Sequence, residues 1–198
     1  MEATKLVAIG ASAGGLHALC TLGSMLPADL GVALVVVQHR SRDSRLLGGL
    51  LQDCTALRVC EVNDKEPILA GHLYLGPPDY HLLVEEGFLA LSVDEPVRWS
   101  RPSIDVMFES AADAYGPDAV GVVLTGANAD GARGLRRIVD AGGKAIVQDP
   151  ESAEVRTMPA AAIEAVAEAV VLPLEEIAAH LTELVRGMPA TSGRRHAR

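Results

Sequence analysis

Leu6-Val7-Ala8-Ile9-Gly10-Ala11-Ser12-Ala13-Gly14-Gly15 is the stretch from which the fold can be inferred. The apolar residues 6–9 predict a short buried strand. After Gly15, apolar residues such as Leu16, Leu19 and Leu22 recur with helical spacing and predict a helix. A tight glycine turn between a strand and a helix lifts the residue at its apex out of the backbone. That residue is Ser12, and Gly10-x-Ser12-x-Gly14 has the spacing of a nucleophile elbow.

The same turn is compatible with two other interpretations. It could be a dinucleotide loop in which serine replaces the middle glycine and a phosphate binds at the helix N-terminus. It could also be an ordinary connection between a strand and a helix. These residues alone do not separate the three interpretations, so the rest of the chain has to.

Composition restricts the class of protein. The chain has 198 residues, of which 49% are hydrophobic and 3% aromatic, so we expect one domain with an aliphatic core of buried parallel strands. The net charge of −9 argues against a nucleic-acid partner. No apolar run approaches the roughly 18 residues of a membrane span, so we expect no membrane insertion.

The cysteines Cys20, Cys54 and Cys60 form no CxxC motif and leave one unpaired. We therefore expect buried thiols rather than a disulfide framework or a zinc site. The N-terminus has no pattern of a secretory signal. Together these features predict a cytoplasmic protein.

A second buried strand is predicted over residues 31–38, ending at His39. The strand–helix–strand unit implies parallel pairing, and the carboxyl ends of parallel strands meet at one edge of the sheet. Ser12 and His39 should therefore lie at neighbouring strand ends. A dinucleotide fold needs an acid at this second position, where this chain has His39; Arg40 could face a 2′-phosphate, which keeps an NADP-type domain as an alternative.

A third strand end carries a carboxylate. The buried strand 119–124 leads into a glycine-rich loop that contains Asp130. Turn chemistry and helix capping are the alternative explanation for Asp130, and Asp149, at the end of a later strand, is a rival acid.

The alternating elements predict an α/β fold: a doubly wound, mostly parallel sheet with helices on both faces. Glu85-Glu86-Gly87 adds an antiparallel β-hairpin.

Seven segments, in order, resemble the catalytic domain of the chemotaxis protein-glutamate methylesterase (CheB) family over roughly residues 5–185. They are Ile9-Gly10-Ala11-Ser12-Ala13-Gly14-Gly15, Val37-Gln38-His39, Pro77-Pro78 with His81-Leu82-Leu83-Val84, Pro102-Ser103-Ile104-Asp105, Leu124-Thr125-Gly126-Ala127-Asn128-Ala129-Asp130-Gly131-Ala132, Gln148-Asp149-Pro150-Glu151-Ser152-Ala153 and Met158-Pro159. Any one of these segments is a weak signal, whereas all seven in family order form a strong one.

The resemblance implies a catalytic triad of Ser12, His39 and Asp130. It implies hydrolysis of glutamate methyl esters on a chemoreceptor or another methylated signalling protein, with deamidation of receptor glutamines as a related activity. It also implies that no metal or organic cofactor takes part. Oxyanion donors are expected among the backbone amides of Ala127 and of Ala13 or His39.

The chain departs from the family pattern in three ways, one of them at Gly15-Leu16-His17, where many members have a proline. Ala127 stands where the family loop usually has methionine, which would alter the shape of the pocket. The chain starts about four residues before its first strand, so we expect no receiver domain. Residues 1–186 are predicted to be a single domain and 187–198 a disordered tail. A binding or signalling module that keeps the fold without turnover remains an alternative.

Several arginines fall in loops that we place near the predicted strand ends. They are Arg40, Arg42, Arg45, Arg98, Arg101 and Arg133. In an acidic protein such clustering suggests a positive face for a glutamate-rich partner, with Arg42, Arg45 and Arg101 as the substrate-face candidates. The alternative is that these arginines only balance nearby acids.

Overall fold

Strands and helices alternate along the residues that the computed structural model describes, 6–40 and 46–187. The strands are β1 (Leu6–Ala11), β2 (Ala33–Gln38), β3 (Arg58–Glu61), β4 (Glu66–Pro67), β5 (His72–Leu75), β6 (His81–Glu85), β7 (Phe88–Ser92), β8 (Ala119–Val123), β9 (Lys144–Gln148) and β10 (Val170–Leu172). The helices are α1 (Gly15–Met25), α2 (Leu47–Cys54), α3 (Ile104–Tyr115), α4 (Ala132–Asp140), α5 (Thr157–Ala165) and α6 (Leu174–Gly187), with a 3-10 turn at Gly116–Asp118.

Seven parallel strands form the main sheet in the order β10-β9-β8-β1-β2-β5-β3. Every residue of β1, β2 and β8 is buried, because helices cover both faces of the sheet. From β1 the chain moves to β2 on one side and later returns as β8 on the other side. Ligands bind at such a reversal in doubly wound sheets, and Ser12 follows β1 there.

Two aliphatic cores flank the main sheet. Leu6 and Ala8 of β1 face the core under α3, α4 and α5, while Val7 and Ile9 face the core under α1, α2 and α6. This alternation follows from the period of two along a strand. The predicted doubly wound α/β fold, with helices on both faces, is confirmed.

A small antiparallel sheet in the order β4-β7-β6 lies beside the main one. Its β6–β7 pair, with His81 opposite Ser92 and Glu85 opposite Phe88, is the predicted hairpin. The two-residue strand β4 was not predicted, because its Pro67 is atypical of strands other than edge strands. Buried His81 accepts the Ser103 N–H at Nδ1 (3.2 Å) and donates from Nε2 to the Glu95 carbonyl (3.1 Å), so both its nitrogens serve the fold.

Two predictions need correction. The structure pairs Cys20 of α1 with Cys54 of α2 in a disulfide, their Cα atoms 5.1 Å apart, and leaves Cys60 free. The prediction of three thiols was wrong because it rested on sequence spacing, which does not show which residues two helices bring together. Gly187 belongs to α6, so the predicted tail starts one residue too early, and its remainder lies outside the described residues.

No helix in the described ranges is long and apolar enough to cross a membrane. The cytoplasmic location stays a prediction.

Candidate active site

Ser12 occupies a tight turn between β1 and α1. Its N–H donates to the Thr125 carbonyl (3.0 Å), and its own carbonyl accepts the Gly15 N–H (2.8 Å). Gly14, with φ of +76°, supplies the left-handed conformation that a residue with a Cβ rarely adopts. The turn is therefore fixed both to the end of β8 and to the start of α1.

Gly10 allows α3 to approach this turn closely. A Cβ at Gly10 would lie 2.3 Å from Cγ2 of Ile104, the first residue of α3. Any larger residue would push the helix away from β1. The start of α3 contacts Asp130, as described below. Gly10 therefore also affects the position of that carboxylate, through the position of the helix.

His39 follows β2, next to the Ser12 turn. Its N–H donates to the Ala11 carbonyl (3.0 Å). The side chain of Gln38 joins the two strand ends, because its Nε2 donates to the carbonyl of Ser12 (2.7 Å) and to that of His39 (3.0 Å). Gln38 is buried and was not predicted to be a site residue. The sequence feature that could have pointed to Gln38 is a polar residue at the end of an otherwise apolar strand.

Asp130 is fully buried and accepts four hydrogen bonds. His39 Nε2 lies 2.8 Å from its Oδ2, and the Ser103 hydroxyl donates to its Oδ1 (2.9 Å). The remaining donors are the backbone N–H groups of Ile104 (2.7 Å) and Asp105 (3.0 Å) at the start of α3. Burial works to raise the pKa of Asp130, but the bond with His39 and those two amides outweigh it and hold the pKa below its ordinary value.

Asp105 holds the loop that carries Asp130. Its Oδ1 accepts the N–H groups of Gly131 (2.9 Å) and Gly134 (2.8 Å) at the start of α4. Asp130 thus binds the N-terminus of α3 while Asp105 binds the N-terminus of α4, which favours a negative charge at both places. In the sequence, Ser103 and Asp105 were predicted only as part of a family segment, not as supports of the site.

Two other loops are tied to the Ser12 turn through Thr125. Its Oγ1 donates to the Ala13 carbonyl (2.9 Å) and accepts the Val155 N–H (2.9 Å). Its N–H donates to Oε1 of Gln148 (2.9 Å). Among the described residues, the N–H groups of Ala13 and Ala127 have no acceptor, which leaves both free to bind an oxygen.

A cavity of about 550 Å³ opens beside the serine. It is lined by Ser12, Gly14, Gly15, Leu16, His17, Cys20, Gln38 and Glu154. Of the three predicted triad residues, Ser12 is the one that lines it. Within residues 6–40 and 46–187, no group of three or more His, Cys, Asp or Glu side chains is arranged to hold a metal ion.

The rival acid Asp149 does not contact His39. Its Oδ1 accepts the Glu151 N–H (3.0 Å), and its own N–H donates to the Leu172 carbonyl (2.7 Å). The side-chain contact belongs to a local turn after β9, and the backbone contact ties that turn to the end of β10. Asp130 is therefore the carboxylate that meets the imidazole.

The structure places some of the arginines. Arg101 is half-buried, and its Nη1 donates to the carbonyls of Val93 (2.9 Å) and Asp94 (3.0 Å). Nη2 of Arg40 lies 2.5 Å from Glu61, so the guanidinium that an NADP-type site would need is already paired. Arg42 and Arg45 lie outside the described residues, so the substrate-face candidates stay a prediction.

Residues 7–181 match the family model described as CheB methylesterase. A protein of Leptospira interrogans, provisionally named protein-glutamate methylesterase/protein-glutamine glutaminase, is 45% identical over 88% of this chain and 91% of its own length. A protein-glutamate methylesterase/protein-glutamine glutaminase of Rhodospirillum rubrum is 39% identical over 91% of this chain. The chain spans about half (48%) of the length of that relative.

The crystal structure of the Thermotoga maritima CheB methylesterase catalytic domain is similar in fold, with a TM-score of 0.88 and 32% identity. The similarity covers 91% of this chain and 98% of that domain. From the family match, the relatives and this shared fold, the chain belongs to the CheB methylesterase family.

Proposed function

We propose that this chain hydrolyses glutamate methyl esters in proteins, with Ser12 as nucleophile, His39 as base and Asp130 as the carboxylate that orients the base. The observation that carries the proposal is the 2.8 Å contact between His39 Nε2 and buried Asp130, next to the serine turn. The names of the relatives support the activity and add hydrolysis of protein glutamine side chains.

The contact with Asp130 decides which nitrogen of His39 is basic. An ionised carboxylate only accepts hydrogen bonds, so Nε2 carries the proton and donates a hydrogen bond to Asp130. Nδ1 then has the free electron pair and takes the proton of the Ser12 hydroxyl. Asp130 stabilises the imidazolium that forms, without itself being protonated.

Ser12 Oγ attacks the ester carbonyl carbon and forms a tetrahedral intermediate. We assign the N–H groups of Ala13 and Ala127 as donors to its oxyanion, because neither has an acceptor among the described residues. A preorganised donor of this kind contributes about 3–4 kcal/mol to transition-state stabilisation in another hydrolase. Because the backbone amide makes the bond, alanine at 127 can serve as well as methionine.

The acyl-enzyme forms when the C–O bond breaks and the methoxide leaves as methanol, with the proton from His39. Water then attacks the acyl carbonyl while His39 takes its proton, and the products are a glutamate carboxylate and free Ser12. A glutamine side chain would follow the same path and release ammonia.

The chemistry requires a protein substrate with an accessible ester, and by family membership we propose a chemoreceptor or another methylated signalling protein. The chain through Gly187, the last residue of α6, is proposed as one catalytic domain.

A fluorophosphonate probe tests the nucleophile and excludes a non-catalytic module. The wild type should be labelled on the peptide that contains Ser12, as read by mass spectrometry, and Ser12→Ala should not be labelled. Ser24→Ala is the matched control, because the Ser24 hydroxyl bonds to the Thr21 carbonyl within α1 (2.8 Å). Labelling of another serine, or none at all, would contradict the assignment.

A further inference from the structure

We propose that Glu154 determines substrate specificity: its carboxylate makes the site favour esters with neutral neighbours and disfavour esters with acidic ones. This inference rests on the proposed function. Glu154 belongs to the loop between β9 and α5 and lines the same cavity as Ser12. It is the one carboxylate among the described residues that line this cavity.

The carboxylate lies against the serine turn. A Cβ built on Gly14 would be 2.7 Å from Cβ and 2.8 Å from Oε2 of Glu154. The glutamate therefore covers the backbone two residues after Ser12, at the N-terminal end of α1. An anion at this end of a helix is favoured, and Glu154 already supplies that charge.

The backbone next to Glu154 is held in place. The N–H of Val155 donates to Thr125 Oγ1 (2.9 Å), and the carbonyl of Val155 accepts the Gly126 N–H (3.0 Å). Thr125 and Gly126, the two partners of Val155, directly precede the proposed oxyanion donor Ala127. The backbone that carries the exposed Glu154 side chain is thus held close to the point where a substrate carbonyl would bind.

The charge of Glu154 is not neutralised by the described residues. None of them gives it a hydrogen bond or an ion pair. Glu151, three positions earlier in the same loop, is paired with Arg156 and does not line the cavity. The titratable imidazole of His17 also lines this cavity, from α1.

This charge has a direct consequence for the substrate. An ester or an amide beside the scissile group is neutral, so Glu154 does not repel it. A free glutamate at that position brings a second carboxylate close to Glu154, and the two negative charges repel each other. Two charges about 5 Å apart in water repel enough to change binding by about fourfold at low salt. A methylated protein with several esters would then be hydrolysed more slowly beside an ester that has already been cleaved.

Paired peptide substrates test this inference. They differ only in Glu or Gln at the positions that flank a glutamate methyl ester, and kcat/KM is measured by methanol release for wild type, Glu154→Gln and Glu151→Gln. The wild type should prefer the Gln-flanked peptide by about fourfold at low ionic strength, mainly through KM, and the preference should fade near 1 M salt. Glu154→Gln should bring the ratio close to one, while Glu151→Gln should keep it.

The ratio compares two substrates on one enzyme, so a general effect of the substitution on folding or on the oxyanion cancels. A preference that persists in Glu154→Gln, or a wild type that hydrolyses both peptides equally, would overturn the role of Glu154. A wild type that hydrolyses neither peptide would overturn the proposed function, and this inference with it.

Discussion

Asp130 shows how one buried side chain can serve both the fold and the proposed reaction. Four donors surround its carboxylate, and one of them is the imidazole that we assign as the base. A buried charge costs stability unless it is fully hydrogen-bonded. Here the two amides of α3 and the Ser103 hydroxyl supply those bonds, so the carboxylate stays ionised and keeps its position against His39.

Asp130→Asn should lower kcat for methanol release by about 10⁴-fold, the loss seen when the equivalent carboxylate is replaced in a serine protease. The amide can donate to the imidazole and so stabilise the wrong tautomer. Asp149→Asn is the matched control and should change kcat by less than about twofold, because the Asp149 side chain bonds only within its own turn. Equal losses in the two variants would contradict the role of Asp130.

The lowered pKa of Asp130 makes stability depend on pH. A carboxyl group whose pKa is lower in the folded than in the unfolded state stabilises the fold above its unfolded pKa, and this contribution is lost as the pH falls through the folded value. The difference in unfolding free energy between wild type and Asp130→Asn should therefore be constant near neutrality and shrink below the ordinary value of 3.8. Urea denaturation from pH 6 downward measures it. A difference that grows on acidification would show that the shift has the opposite sign.

At the scale of elements, the site depends on how closely α3 packs against β1. Gly10 has no room for a Cβ because Ile104 lies 2.3 Å from where that atom would be. The start of α3 in turn holds Asp130, and Asp105 of the same helix holds the start of α4. A change at the strand should therefore reach the carboxylate through the helix.

Gly10→Ala should destabilise the protein by about 1–3 kcal/mol through overpacking and should also reduce esterase activity. Gly48→Ala is a control in α2, where a Cβ has no atom within 4 Å, and it should be neutral or stabilise by up to about 1 kcal/mol. Chemical denaturation of both variants compares them. A Gly10→Ala variant as stable and active as the wild type would rule out this coupling.

At the scale of the whole molecule, the winding of the sheet explains what could be predicted. Parallel strand ends meet at one edge, so short apolar runs are enough to predict that Ser12, His39 and Asp130 follow strands at the same edge of the sheet. The structure brings the side chains of His39 and Asp130 into contact. The roles of Gln38 and Asp105 depend on which backbone groups a side chain reaches in three dimensions. Sequence spacing carries no such information, and for the same reason it did not pair Cys20 with Cys54.

The disulfide between α1 and α2 can be checked by counting thiols. Unfolded under non-reducing conditions, the purified protein should react with one equivalent of Ellman's reagent, from Cys60, and after reduction with three. A Cys60→Ser variant should react with none before reduction. Three reactive thiols in the unreduced wild type would show that Cys20 and Cys54 are not joined.

Methanol release from a methyl-esterified receptor shows whether Ser12 is the nucleophile, when wild type and Ser12→Ala are compared at equal concentration. If the serine attacks the ester, the wild type releases methanol and Ser12→Ala is slower by about 10⁶-fold, as in a protease whose nucleophile was removed. Equal release by the two proteins would contradict the account.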